Sequence, residues 1–311
     1  MTRVQIAVLD DYQNVAREMA DWSPVAARAD ITVFTDHVSD PDELVARLAP
    51  FDVIFVMRER TPLPRSIIER LPRLRMIAST GPFNASIDMA AVQEHGIHVG
   101  TTGGTVASTV ELTWALILAG ARNLVGEAVS VRTGGWQTSV GRELSGRALG
   151  VVGLGRIGAR VARIGAAFGM EVLAWSQNLT AEVAAEAGAS YVGKDELFSR
   201  SDVVTVHLKL SDRSAGVIGA AELALMKPTA LLVNTSRGPL VDEAALIEAL
   251  RARRIRAALD VFDTEPLAAD HPLRTLDNVI ATPHIGYVAD RPYRIFFREA
   301  VAAIAQWLDG Q

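Results

Sequence analysis

Short apolar runs rich in Val, Ile and Leu alternate with amphipathic stretches from one end of this chain to the other. Val4–Leu9, Ile31–Thr35, Val53–Met57 and Met76–Ser79 form a first series, with helical patterns such as Asp42–Leu48 and Arg65–Arg70 between them. A second series comprises Ala148–Val152, Val172–Trp175, Val203–His207, Leu231–Asn234, Ala257–Val261 and Val279–Ala281. Continuous apolar strands separated by helices imply parallel sheets covered on both faces. Two such series in 311 residues imply two α/β lobes, the first ending near residue 98. Residues 101–122 read as a long helix linking the lobes. Tyr293–Leu308 reads as a last helix, with Ile295, Phe296, Ile304 and Leu308 at helical spacing, able to pack on either lobe.

Composition narrows the possible partners. The chain has 31 basic and 36 acidic residues, a net charge of −5, which argues against binding bulk nucleic acid. It has no cysteine, so a disulfide framework, a thiolate-held metal or cluster, and a cysteine nucleophile are excluded. No metal site is expected. The longest apolar stretch, Leu112–Ala121, falls short of the ~18–20 residues of a membrane span and reads as a buried helix. The N-terminus reaches Asp10 and Asp11 without a signal-peptide pattern, so a soluble, cytoplasmic protein is expected.

Gly153-Leu154-Gly155-Arg156-Ile157-Gly158 follows a predicted strand and opens a predicted helix over Arg156–Phe168. That context is the one a dinucleotide fingerprint requires. The first glycine permits the turn, the second lets the backbone approach a pyrophosphate, and the third lets helix and strand pack closely. The carboxylate normally found ~20 residues further on, which accepts the ribose hydroxyls, is missing. Ser176-Gln177-Asn178 stands there instead. Neutral residues remove the repulsion against a 2′-phosphate; alternatively Gln or Asn simply bonds the ribose and leaves NAD usable.

Three later segments each follow a predicted strand: Asn234–Gly238, Asp260–Pro266 and Thr282–Gly286. Ligands of open parallel sheets bind beyond the carboxyl ends of strands, so these loops converge on the cofactor. Arg237 offers a charged fork suited to a carboxylate. His284 can exchange a proton near neutral pH, and Glu265 beside it would favour the imidazolium and fix its tautomer. Anion clamp, proton donor and hydride carrier are together what reduction of a 2-keto acid requires. Taken singly, an Arg before Gly is usually solvated, Glu-Pro is often a turn, and a His after Pro is most often structural. His37, His95, His98 and His271 lie in surface-like contexts, while His207 either borders the cofactor or is structural.

These segments in this order and spacing resemble the D-isomer-specific 2-hydroxyacid dehydrogenase family, which includes phosphoglycerate dehydrogenases and glyoxylate/hydroxypyruvate reductases. The resemblance rests on the Gly153–Gly158 turn, Ser236-Arg-Gly-Pro-Leu-Val-Asp242, Ala258-Leu-Asp-Val-Phe262 with Glu265-Pro266, and Pro283-His-Ile-Gly286. It implies two Rossmann-like parallel-sheet lobes, one flavodoxin-like and one NAD(P)-binding, with a cleft between them. The substrate lobe would comprise 1–98 plus 288–311, and the cofactor lobe 99–287. It further implies that Arg237, Glu265 and His284 are catalytic. Asp260 would lie near the nicotinamide end, and Thr235, His207, Lys209 and Gly286 around the cofactor. Backbone N–H groups of Ser79–Asn84, with Thr80, Gly81, Phe83 and Asn84, would meet the substrate carboxylate, and Arg58 the rest of the substrate.

Three positions depart from the family pattern. Its usual Gly-x-Gly loop reads Gly81-Pro82-Phe83-Asn84, its acid at 176 is Ser, and its proline two residues after His207 is Lys209. The last two favour NADP over NAD modestly. The end at residue 311 implies no C-terminal regulatory domain of the kind some phosphoglycerate dehydrogenases carry. Leu112–Ala121, with Trp114 and Trp136 nearby, and the resemblance together imply a homodimer. Two other functions fit the same scaffold: a nucleotide-sensing protein of the C-terminal-binding corepressor type, and a formate dehydrogenase. Glu265 argues against the second, which carries Gln beside its His.

Overall fold

The structure, a computed structural model, describes residues 3–311 and divides into two compact units. One runs through Thr105 and includes Ala289–Gln311; the other is Val106–Val288. Residues 1 and 2 lie outside the described chain.

The first unit holds a parallel sheet of five strands, β1 (Val4–Val8), β2 (Ala29–Val33), β3 (Val53–Val56), β4 (Met76–Ser79) and β5 (His98–Thr101), in the order β2-β1-β3-β4-β5. Val8 stands opposite Val33 on one side and Phe55 on the other. β3 and β4 are buried along their whole length, as unbroken apolar runs require. Their side chains meet Leu44, Leu48, Ile67 and Val92 from the covering helices. The sheet extends beyond residue 98 because Val99, Gly100 and Thr101 pair with Ile77, Ala78 and Ser79. His-Val-Gly-Thr carries too little apolar signal to read as a strand, and the first unit therefore reaches Thr105 rather than 98. The last helix, Asp290–Asp309, packs in this unit, with Phe297 stacked on Phe55 at 5.0 Å.

The second unit holds a parallel sheet of seven strands: β6 (Ala148–Val152), β7 (Glu171–Trp175), β8 (Ser190–Tyr191), β9 (Val203–Val206), β10 (Leu231–Asn234), β11 (Arg256–Leu259) and β12 (Val279–Ala281). Their order is β12-β11-β10-β9-β6-β7-β8. The chain winds outward from β6 in one direction, then from β9 in the other. The crevice at the carboxyl ends of β6 and β9 is the switch point where such sheets bind ligands. β8 has two exposed residues and no apolar run to announce it.

The helix expected over 101–122 begins at Ala107, because Thr101 belongs to β5. It buries Val110, Trp114, Leu116 and Ile117, and Trp114 stacks on Phe168 at 4.9 Å. The apolar stretch Leu112–Ala121 is thus core rather than a surface awaiting a partner. The unpartnered apolar side chains lie just beyond it. The helix Leu124–Arg132 buries none of its residues, and Leu124, Val125, Val129, Val131, Trp136 and Val140 are exposed. Among the described residues no single helix is long and apolar enough to cross a membrane.

Candidate active site

At the end of β6, Gly153 turns the chain with φ +96°, and a Cβ there would lie 2.8 Å from the carbonyl carbon of His207. A Cβ on Gly158 would stand 2.0 Å from the Gly153 oxygen, so the helix Gly158–Ala167 can leave the strand this closely only through glycine. Gly155 differs: nothing lies within 4 Å of the place its Cβ would take. The N–H groups of Gly155, Arg156 and Ile157 have no hydrogen-bond partner among the described residues. An open backbone face, idle donors and the positive end of a helix dipole fit the pyrophosphate of a dinucleotide.

The neutral end of β7 sits beside this turn, since the Gly153 N–H donates to the Trp175 carbonyl at 2.8 Å. Ser176 begins a turn closed by Leu179, while Gln177 and Asn178 are exposed. Gln177 Nε2 donates to the Arg213 carbonyl at 2.9 Å, tying this turn to the loop that carries Lys209. Thr235 is buried at the end of β10, its hydroxyl 2.8 Å from that of Thr113. His207 pairs through Nε2 with the Thr205 hydroxyl at 2.9 Å, and its enclosed Nδ1 has no partner among the described residues. Burial lowers its pKa to about 3, so it stays neutral and exchanges no proton near pH 7.

Three loops of this unit then meet. Asn234 Nδ2 donates to the Arg237 carbonyl at 2.8 Å, and Ser236 Oγ donates to Val206 O at 2.8 Å, which fixes the turn bearing Arg237. A Cβ on Gly238 would fall 2.1 Å from the carbonyl carbon of Phe262, so this turn lies directly on the segment leading to Glu265. Glu265 Oε1 accepts the Phe262 N–H at 2.9 Å, and its Oε2 lies 2.5 Å from His284 Nδ1. With Nδ1 engaged there, Nε2 is the nitrogen left for proton exchange.

His284 has a left-handed backbone, φ +52°, and the loop around it is anchored by Asp260. That fully buried carboxylate accepts the Thr282 hydroxyl at 2.5 Å and the N–H groups of Ile285 and Gly286, both at 2.8 Å. Burial pushes the Asp260 carboxyl above its ordinary range; the Thr282 hydroxyl, the two N–H groups and the nearby His284 pull the other way. Asp260 therefore grips the loop that carries His284. Thr109 Oγ1 donates to the Gly286 carbonyl at 3.1 Å, and the Tyr287 ring meets His284 edge-on at 5.2 Å. Neither Thr109 nor Tyr287 carries a sequence signal linking it to His284, and both contacts emerge only when the loop is folded.

In the first unit, Arg58 follows β3 with φ +54° and folds back over the Thr80–Asn84 loop. Its Nη1 donates to Thr80 O at 3.1 Å, and a Cβ on Gly81 would come within 1.7 Å of that nitrogen. The loop's donors are partly spent within the unit. The Thr80 N–H donates to Val56 O at 3.1 Å, the Gly81 N–H to Thr102 Oγ1 at 2.7 Å, and Pro82 has none. Asn84 is buried, with Nδ2 donating to Arg58 O at 2.7 Å and Oδ1 accepting from Ser86. Phe83, by contrast, is 56% exposed. Thr80, Gly81, Asn84 and the Arg58 guanidinium, which also pairs with Glu59, thus hold the shape of the loop, and Phe83 is the side chain it presents.

Two histidines expected at the surface are half-buried and paired with carboxylates instead. His37 Nδ1 lies 2.8 Å from Asp10 Oδ1, and His271 Nε2 lies 3.2 Å from Glu243 Oε1. No cluster of three potential metal ligands occurs among the described residues.

The family model for the D-isomer specific 2-hydroxyacid dehydrogenase NAD binding domain matches residues 114–286. A glyoxylate reductase of Aeropyrum pernix is 40% identical over 267 residues, 82% of this chain and 79% of its own. A D-3-phosphoglycerate dehydrogenase of Methanocaldococcus jannaschii is 42% identical over 250 residues, 79% of this chain; the match spans only 47% of that longer protein. Among solved structures, phosphoglycerate oxidoreductase from Vibrio cholerae O395 superposes with a TM-score of 0.94 at 38% identity, over 99% of this chain and 100% of the other. With its glycine turn, its Arg237, Glu265 and His284 loops and two parallel-sheet units, the chain belongs to the D-isomer-specific 2-hydroxyacid dehydrogenase family, oxidoreductases that act on CH–OH donors with a nicotinamide cofactor.

Proposed function

We propose that this enzyme reduces a small 2-keto acid to the D-2-hydroxy acid, with His284 as proton donor, and uses NADPH somewhat better than NADH. The observation that carries the reading is the 2.5 Å contact of His284 Nδ1 with Glu265, on a loop gripped by Asp260 and packed beside the turn of Arg237. The nicotinamide, when bound, supplies a hydride to C2 of the keto acid. His284 Nε2 gives a proton to the carbonyl oxygen, and Glu265 balances the charge on the imidazolium before that transfer. Arg237 pairs with the carboxylate and orients the carbonyl, a two-point contact that raises the effective concentration of the reacting groups. Gly153–Gly158 hold the pyrophosphate; Ser176, Gln177, Asn178 and Lys209 surround the adenosine ribose; Thr235, His207, Asp260 and Gly286 shape the nicotinamide end.

The second unit is the cofactor-binding domain and the first the substrate-binding domain, where Arg58 and Phe83 select the substrate's side group. Glyoxylate and hydroxypyruvate are the first substrates to try, given the relative named for glyoxylate. The exposed apolar side chains between Leu124 and Val140 suit a homodimer in the cytoplasm. The test is oxidation of NADPH and NADH with glyoxylate, hydroxypyruvate and pyruvate, on protein sized by light scattering. Turnover of at least one keto acid with NADPH ahead of NADH supports the reading. No turnover of any of them, or a tenfold preference for NADH, contradicts it, and a mass of one chain rules out the dimer.

A further inference from the structure

We propose that Arg213 is the cation that meets an adenosine 2′-phosphate, carried to the end of β7 by Gln177. The inference rests on the NADPH reading above and names the group that would produce it. No arginine occupies 177–179, immediately after the strand. The structure brings one from a different loop: Gln177 Nε2 donates to the Arg213 carbonyl at 2.9 Å. Gln177 thereby spends one of its amide protons on the loop and acts as its tether.

That loop is pre-shaped. Ser214, next to Arg213, is buried; its hydroxyl donates to Lys209 O at 2.7 Å and accepts the Ser211 N–H at 2.9 Å. The near end of the loop lies on the glycine turn, where a Cβ on Gly153 would be 2.9 Å from Leu208 N. The far end is held by the Gly216 N–H donating to Pro239 O at 2.8 Å. Between these anchors Arg213 is exposed, and its guanidinium makes no ion pair or side-chain hydrogen bond among the described residues, including with its acidic neighbour Asp212. An exposed guanidinium fork on a fixed backbone whose carbonyl is bonded to Gln177, the residue after a strand end stripped of its carboxylate, suits a doubly charged phosphate.

The test is calorimetric binding of 2′,5′-ADP and 5′-AMP to the full chain, which differ only in the 2′-phosphate. Wild type is expected to bind 2′,5′-ADP ~10-fold more tightly than 5′-AMP, about 1.4 kcal/mol. Arg213→Ala removes that preference while 5′-AMP affinity stays within twofold, and Arg213→Lys retains part of it. Gln177→Leu, which cuts the tether but keeps the charge, lowers the preference several-fold. A wild-type ratio in Arg213→Ala overturns the proposal, as does a wild type that binds the two nucleotides equally. Neither measurement involves keto-acid turnover, so an enzyme inactive on every keto acid would sink the proposed reaction and leave this assignment standing.

Discussion

Glu265 Oε2 lies 2.5 Å from His284 Nδ1, and His284 makes that contact from a left-handed backbone with φ +52°. A non-glycine residue in that region costs about 1–2 kcal/mol. Asp260, with its three bonds to Thr282, Ile285 and Gly286, offsets that cost, and Glu265, by engaging Nδ1, leaves Nε2 as the other ring nitrogen. The loop is thus held with Nδ1 turned to Glu265.

Replacing Glu265 by Gln keeps a hydrogen-bond acceptor but removes its charge. The imidazolium of His284 then lacks its counter-charge, so kcat for keto-acid reduction is expected to drop by ~10-fold or more while cofactor affinity stays the same. Steady-state kinetics of Glu265→Gln with a wild-type kcat would show that the carboxylate does not govern the proton.

Gly155 and Gly158 separate folding from binding. Gly158→Ala drives a Cβ to 2.0 Å from the Gly153 oxygen and is expected to lower Tm by several degrees. Gly155→Ala meets nothing within 4 Å, so it folds with unchanged Tm yet fills the space a pyrophosphate needs, weakening dinucleotide binding by ~10-fold or more. Thermal melts and fluorescence titration with the cofactor check both; equal cofactor affinity in Gly155→Ala and wild type would move the phosphates elsewhere.

His207 makes stability acid-sensitive. Its pKa is about 3 in the folded chain against an ordinary value of 6.5, so below pH 6.5 the unfolded chain binds more protons. The stability associated with neutral His207 is therefore complete above pH 6.5 and is lost as pH falls from there towards about 3. Melting temperatures across that range are expected to fall less steeply for His207→Asn than for wild type. Parallel curves would place the acid sensitivity in other groups.

Much of this site is legible in the sequence because its residues come as short local words. Gly153–Gly158, Asn234–Gly238 and Pro283–Gly286 each follow an unbroken apolar strand, and strand ends of one parallel sheet meet at one edge. What the sequence hides is pairing between distant segments. The contact of His37 with Asp10 joins positions 27 apart, and that of Gln177 with Arg213 joins positions 36 apart. Gly81 reads as an available donor until Thr102, brought alongside by β5, takes its N–H. Edge strands β5 and β8 lack the apolar runs that mark central strands, so the first domain boundary falls seven residues later than the sequence suggests. Leu112–Ala121 is equally apolar as core or as interface, and the burial of Trp114, Leu116 and Ile117 in the folded chain decides for core.

The central claim is that His284 delivers the proton, and His284→Asn tests it most directly. In steady-state reduction of the best keto acid, under conditions where chemistry limits the rate, kcat is expected to fall by ~10²–10⁴-fold, with cofactor affinity within twofold of wild type. A variant within threefold of wild-type kcat would contradict the account.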